Sequence, residues 1–131
     1  MTEPEQHPPL HAQPLIDSQE RPWGHWEVLA IGAGFKVKRM VVHGGHRLSL
    51  QKHQHRHEHW FVFGGEAHVT CNEECFHLAE RETTTIPAGA VHRIENRGET
   101  PLIMIEIQIG DYCEEDDILR LQDDYARDTE A

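Results

Sequence analysis

From Gln51 to Trp60 the chain reads Gln-Lys-His-Gln-His-Arg-His-Glu-His-Trp, which sets His53, His55, His57 and His59 around one acid, Glu58. Side chains alternate along a strand, so His53 and His55 project to the same side, ~7 Å apart. A bend lets both reach one ion. A second run, Pro87-Ala-Gly-Ala-Val-His-Arg-Ile-Glu-Asn96, places Pro and Gly in a tight turn that feeds a strand beginning at His92. Imidazole nitrogens plus one carboxylate suit zinc first, and iron, manganese, cobalt or nickel as well, but not calcium or magnesium. Such a set leaves one or two positions open for substrate or water. The chain has twelve histidines, and six of them fall between His43 and His59, so the clustering itself points to this region.

Gln51 shares the strand face of His53 and is a candidate ligand or ligand support. Lys36, Lys38, Arg39, Lys52, Arg56 and Arg93 are candidates for holding an anion. Strand alternation admits only one of Lys38 and Arg39 to the inside. Glu95, His57 and His59 are candidate proton-transfer groups.

The elements that must position these residues are short. Between Arg21 and Gly110, β-branched and aromatic runs alternate with Gly-containing turns. Trp26–Ile31, Phe35–Val42, Arg47–His53 and Trp60–Phe63 read as strands, with Gly64-Gly65 as a hairpin turn. Ala67–Cys71, Phe76–Leu78 and Thr83–Ile86 follow. Pro101–Gly110 has Ile at 103, 105, 107 and 109, with Leu102, Met104, Glu106 and Gln108 between them, a strand with one polar end. Many short strands in so short a core predict an all-β sandwich or barrel. Over Asp116–Arg127, Ile118, Leu121 and Tyr125 recur at helical spacing behind Asp116 and Asp117, which predicts a short helix. The expected organisation is an extended, mobile arm over residues 1–20, a barrel over 21–113, and an acidic helix and tail over 114–131. Trp23, Trp26 and Trp60 are expected in the core or at a dimer contact, and Cys71 and Cys75 as structural thiols.

The net charge of -11 is unevenly placed. Residues 1–20 carry four acids and no Lys or Arg, residues 111–131 carry nine acids against Arg120 and Arg127, and the middle carries ten of each sign. Acidic ends repel phosphate backbones, so nucleic-acid binding is not expected. No run approaches the ~20 apolar residues of a membrane span. The start of the chain lacks the basic and apolar regions of a secretory signal. Three cysteines make no disulfide framework, so a reducing compartment, the cytoplasm, is expected.

The two histidine runs resemble the paired motifs of the cupin superfamily. His53, His55, Glu58 and Gly65 match the first motif, and Pro87, Gly89, His92 and Asn96 match the second. The resemblance implies a double-stranded β-helix, or jelly-roll barrel, with His53, His55, Glu58 and His92 as metal ligands in its mouth. The superfamily usually has three or four residues between the second His and the Glu. Here there are two, which leaves His59 as the alternative third ligand. A narrower resemblance, to type II mannose-6-phosphate isomerases, rests on RPWG at 21–24, FKVKRM at 35–40, LSLQKHQHRHEHW at 48–60, IPAGAVHRIENRG at 86–98, PLIMIEIQIG at 101–110 and EDDILRLQDDYAR at 115–127. In that family the cupin usually follows a GDP-mannose pyrophosphorylase domain, which these 131 residues do not contain.

The resemblance thus implies a stand-alone domain that interconverts mannose 6-phosphate and fructose 6-phosphate. A metal would polarise the sugar oxygens, with Glu95 or His59 moving the proton. Gln51, Lys38, Arg39 and Arg93 would hold the substrate. The alternatives are a non-catalytic cupin that binds a sugar phosphate or nucleotide sugar, and an iron-dependent dioxygenase. Cupins commonly dimerise through an edge strand, so a homodimer is expected.

Overall fold

The computed structural model describes residues 16–125, which form eleven strands. These are β1 (Asp17–Arg21), β2 (Gly24–Gly32), β3 (Phe35–Val42), β4 (Leu50–Lys52), β5 (Arg56–Gly64), β6 (Ala67–Cys71), β7 (Glu74–Leu78), β8 (Thr83–Ile86), β9 (His92–Glu95), β10 (Leu102–Gly110) and β11 (Leu119–Gln122). A six-stranded sheet runs β1-β2-β3-β10-β5-β8 and a five-stranded sheet runs β11-β4-β9-β6-β7. Every strand pairing is antiparallel. This is the all-β double-stranded β-helix that the cupin resemblance implies.

The inward row of β10 explains how one fold carries both a core and a site. Leu102 lies opposite Val42, and Met104 lies between Met40 and Val62. Those five are buried and join Val69, Leu78 and Ile94 from the other sheet in the apolar core. Further along, Glu106 lies between Lys38 and Trp60, and Gln108 lies between Lys36 and Glu58. Each of these is also buried. The barrel therefore has one apolar end and one polar end, as the pattern of residues 102–108 predicts. Trp23, Trp26 and Trp60 all lie in the core.

Three expectations change. Asp116–Arg127 forms no helix among the described residues. Leu119–Gln122 instead extends the five-stranded sheet by pairing with β4. Asp117, the expected helix cap, is spent elsewhere, because its carboxylate accepts the backbone N–H groups of Gln54 and His55 at 3.0 and 2.9 Å. Tertiary bonds to an open sheet edge outweigh the helical spacing. The expected arm is strand from Asp17 onward, because β1 pairs with β2 over its whole length. The rest of the arm, and residues 126–131 of the tail, lie outside the described residues. Finally, Gly64-Gly65 is a corner rather than a hairpin turn, since β5 and β6 belong to different sheets. Gly65 has φ +81°, and a Cβ there would sit 2.7 Å from the Pro101 carbonyl oxygen, so the corner requires glycine. The tight hairpin is β6–β7, which turns at Asn72 with φ 55°.

Candidate metal centre

His53, Glu58 and His92 come together at the polar end, with one ligand atom from each within 4.8 Å of the others. Three different elements supply them. His53 lies just after β4, where the strand breaks before β5 begins. Gly89, held at φ +86° in the Pro87 turn, donates its N–H to the His53 carbonyl at 2.7 Å and fixes that break. Glu58 lies on β5, whose inward row is Arg56, Glu58, Trp60 and Val62. His92 opens β9, as the turn before it predicts.

Both imidazoles present Nε2 to the centre. His53 Nδ1–H donates to the Asp117 carbonyl, and His92 Nδ1–H donates to the Ala90 carbonyl at 3.1 Å. A carbonyl only accepts, so each Nε2 keeps its lone pair, as a metal-binding histidine requires. His53 Nε2 lies 3.1 Å from one Glu58 oxygen, and His92 Nε2 lies 3.9 Å from the other. The two rings are 4.9 Å apart. Two imidazoles and a carboxylate, all buried, fit a borderline transition ion such as zinc or manganese. Arg56 shares the cluster. Its Nε donates to Glu58 at 2.9 Å and its Nη2 to His53 Nε2 at 3.3 Å, so metal binding at that lone pair displaces the second contact.

The electrostatics favour the ligand forms. Burial, then the charge of Arg56, lowers the His53 pKa to about 4, which keeps its ring neutral. Burial alone would raise the Glu58 pKa, but His92 and Arg56 outweigh it and the carboxylate stays ionised. Glu106 goes the other way. Burial and the charge of Glu58 beside it hold its carboxyl above the ordinary range. Trp60 Nε1–H bridges the two acids, at 3.0 Å to Glu58 and 3.2 Å to Glu106, and Gln108 donates to Glu106 at 2.8 Å.

Other candidates are placed differently. His55 does not face the centre. It is exposed, and its ring packs edge-on against Tyr112, 5.7 Å between centroids. The alternation that predicts it as a ligand needs continuous strand, and the strand is broken from 53 to 55. His59, on the outer row of β5, is bonded to Thr85. His57, on the same row, accepts the Ala88 N–H. Glu95 pairs with Arg97 at 3.0 Å and lies 3.8 Å from Arg47, away from the cavity. None of the three proton-transfer candidates reaches the centre.

Lys38 faces inward, its ammonium 4.0 Å from the centre of a Trp26 ring and 3.0 Å from Glu115. Arg39 faces outward and makes a two-oxygen contact with Glu27 at 2.7 Å. Gln51, Arg56 and Arg93 line the cavity, whereas Lys36 and Lys52 do not. Arg93 Nε–H donates to the Leu48 carbonyl. Glu106 and Glu115 also line the cavity, and Asp117 braces His53. The polar end of the 102–110 pattern was a signal for Glu106. Glu115 and Asp117 gave none, because they lie in a segment that reads as helix.

Comparison with known proteins agrees with this fold. The family model described as Mannose-6-phosphate isomerase C-terminal matches residues 11–123. The chain belongs to this family. The alginate biosynthesis protein AlgA of Pseudomonas aeruginosa is 50% identical to this isomerase-family chain over 110 residues, 84% of the chain and 23% of AlgA. The xanthan biosynthesis protein XanB of Xanthomonas campestris is 50% identical over 82% of the chain and 23% of XanB. The mannose-1-phosphate guanylyltransferase ManC of Salmonella typhimurium is 48% identical over 82% of the chain and 22% of ManC. The chain thus spans less than a quarter of the length of these curated relatives. Among solved structures, the cupin domain of Cnp3 from Schizosaccharomyces pombe superposes with TM-score 0.66 at 16% identity, over 79% of this chain and 68% of that one. The oxalate decarboxylase of Bacillus subtilis, a protein with Mn(II) centres, superposes with TM-score 0.68 at 21% identity, over 86% of this chain and 31% of that one. At these identities the structural likeness carries the fold alone. No helix of the described residues is long and apolar enough to cross a membrane.

Proposed function

We propose that this domain is a metal-dependent sugar-phosphate isomerase that interconverts mannose 6-phosphate and fructose 6-phosphate. The observation that carries the reading is a buried His53–Glu58–His92 donor set opening into a cavity that Lys38, Arg56 and Arg93 also line. Arg21, Lys38, Arg56, Arg93 and Arg120 line the cavity, against the three carboxyls Glu58, Glu106 and Glu115. Guanidinium and ammonium groups along a cavity wall favour an anionic ligand.

His53, Glu58 and His92 would hold the ion, which when bound supplies Lewis-acid polarisation of the sugar's oxygens. Lys38, from the six-stranded sheet, and Arg93, from the five-stranded sheet, hold the phosphate from opposite walls and fix the sugar's register. Arg39 takes no part, since it faces outward. Glu106 replaces Glu95 and His59 as the group that moves the proton between C1 and C2. It is a cavity-lining carboxyl that Trp60 and Gln108 hold in place, and its raised pKa brings it toward the range a proton-transfer group needs. Gln51 stands beside His92 in the β4–β9 pairing and supports the donor set.

The cavity holds about 120 Å³, below the ~300 Å³ at which small-molecule pockets begin. Glu115 and Ile118 form part of its wall. Substrate entry therefore goes with outward displacement of the 113–118 segment. The test is turnover of mannose 6-phosphate by the purified chain before and after chelation. The expected result is activity that chelator abolishes and a divalent transition ion restores. Saturable binding of the sugar phosphate without turnover would replace this reading with the non-catalytic one.

A further inference from the structure

We propose that His68 and His77, directly opposite each other on β6 and β7, form a second divalent transition-metal site on the outer face of the five-stranded sheet. The inference depends neither on the isomerase reading nor on the buried centre. Strand pairing sets His68 against His77 on one side and against Glu95 of β9 on the other. Directly paired residues share one face of a sheet. Ala67, Val69 and Leu78, the chain neighbours of the two histidines, are buried in the core, so the histidine row points outward. His68 is half-buried there and His77 is exposed.

The two rings lie 5.0 Å apart, against 4.9 Å for His53 and His92. Paired residues on antiparallel strands hold their Cβ atoms ~4.5–5.5 Å apart, so two imidazoles there can chelate one ion without any change of backbone. Glu66 supplies an acid. Its Oε2 lies 3.0 Å from His77 Nε2, much as Glu58 lies 3.1 Å from His53. Two donors ~2.0–2.1 Å from a tetrahedral ion stand ~3.3 Å apart, so this pair needs little movement to share one. The Glu66 and His77 side chains are 68% and 42% exposed and free to turn toward an ion beside His68, with water completing its coordination. Arg97 is held by Glu95 at 3.0 Å, which offsets its charge near His68. Two imidazoles and a carboxylate favour zinc, copper(II) or nickel over calcium or magnesium. The pair His43–His46 is less suited, because its rings are 5.8 Å apart and His46 stacks on Tyr125. β7 is an edge strand of its sheet, so an ion held by both histidines ties that edge to β6. An ion that binds only the folded chain raises its stability.

The test is calorimetric titration of the chelator-treated full chain with zinc chloride. Wild type is expected to bind two ions, one at the buried centre and one at His68 and His77. His77→Ala, at an exposed position, is expected to bind one and to keep its circular dichroism spectrum. His92→Ala is also expected to bind one, and zinc is expected to raise its melting temperature, a gain that adding His77→Ala abolishes. A single ion that His77→Ala loses and His92→Ala keeps would support this site and refute the buried one. Zinc binding that His77→Ala leaves unchanged in number and affinity overturns the proposal, whether or not His92→Ala folds.

Discussion

Glu58 and Glu106 share one indole N–H yet are pushed in opposite directions. Glu58 stays ionised beside Arg56 and His92, whereas burial and the Glu58 charge hold the Glu106 carboxyl above the ordinary range. This division assigns the donor role to Glu58 and the proton-transfer role to Glu106, and the two roles separate by substitution. His92→Ala is expected to lose both the ion and turnover. Glu106→Gln, which keeps an acceptor for Trp60, is expected to keep the ion and lose turnover by ~10²–10⁴, read by metal analysis beside the isomerase assay. His55→Ala is expected to change neither. His53 carries a pH signature. An unfolded imidazole protonates near ~6.5, and the folded one near about 4. Between those values the unfolded state binds the extra proton, so chelated protein loses stability as pH falls through that window. Thermal melts should show a shallower fall in His53→Gln. His53, Glu58 and His92 were legible in the sequence because residue type and a Pro-Gly turn marked them. His55 was misplaced because alternation fails where a strand breaks, and no residue in 53–55 announces the break.

Lys38 and Arg39 are neighbours on β3 with opposite fates, and alternation alone could not say which one faces inward. The choice depends on which face of the sheet the second sheet covers, a fact of tertiary structure. Lys38→Met removes a charge-assisted contact worth about 1.5–3 kcal/mol, so the KM for mannose 6-phosphate should rise ~10–100-fold. Arg39→Ala should leave KM unchanged and cost at most ~1 kcal/mol of stability, because its pair with Glu27 is partly exposed. The 113–118 segment was the least legible element. Its helical spacing is real, but Asp117 binds the backbone at Gln54 and His55, and Glu114 gives its carbonyl to Arg56. Asp117→Ala is expected to cost about 1–3 kcal/mol in melts and ~10–100-fold in metal affinity, since the His53 support loosens with it.

At the scale of the whole molecule the barrel is polarised along its own axis. Leu102 and Met104 close one end, and Glu106 and Gln108 open the other onto the donor set, so a single strand records the gradient. Period-two alternation made the all-β fold and that gradient readable, while the crossing of β5 to β6 between sheets was not, because a Gly-Gly corner and a Gly-Gly hairpin read alike. The central claim is that one ion sits between His53, Glu58 and His92 at this polar end. Anomalous diffraction from crystals grown with zinc or manganese tests it most directly. The expected result is one strong peak within bonding distance of both Nε2 atoms and the Glu58 carboxylate. A centre left without a peak, or a peak held by His55 instead, would contradict it.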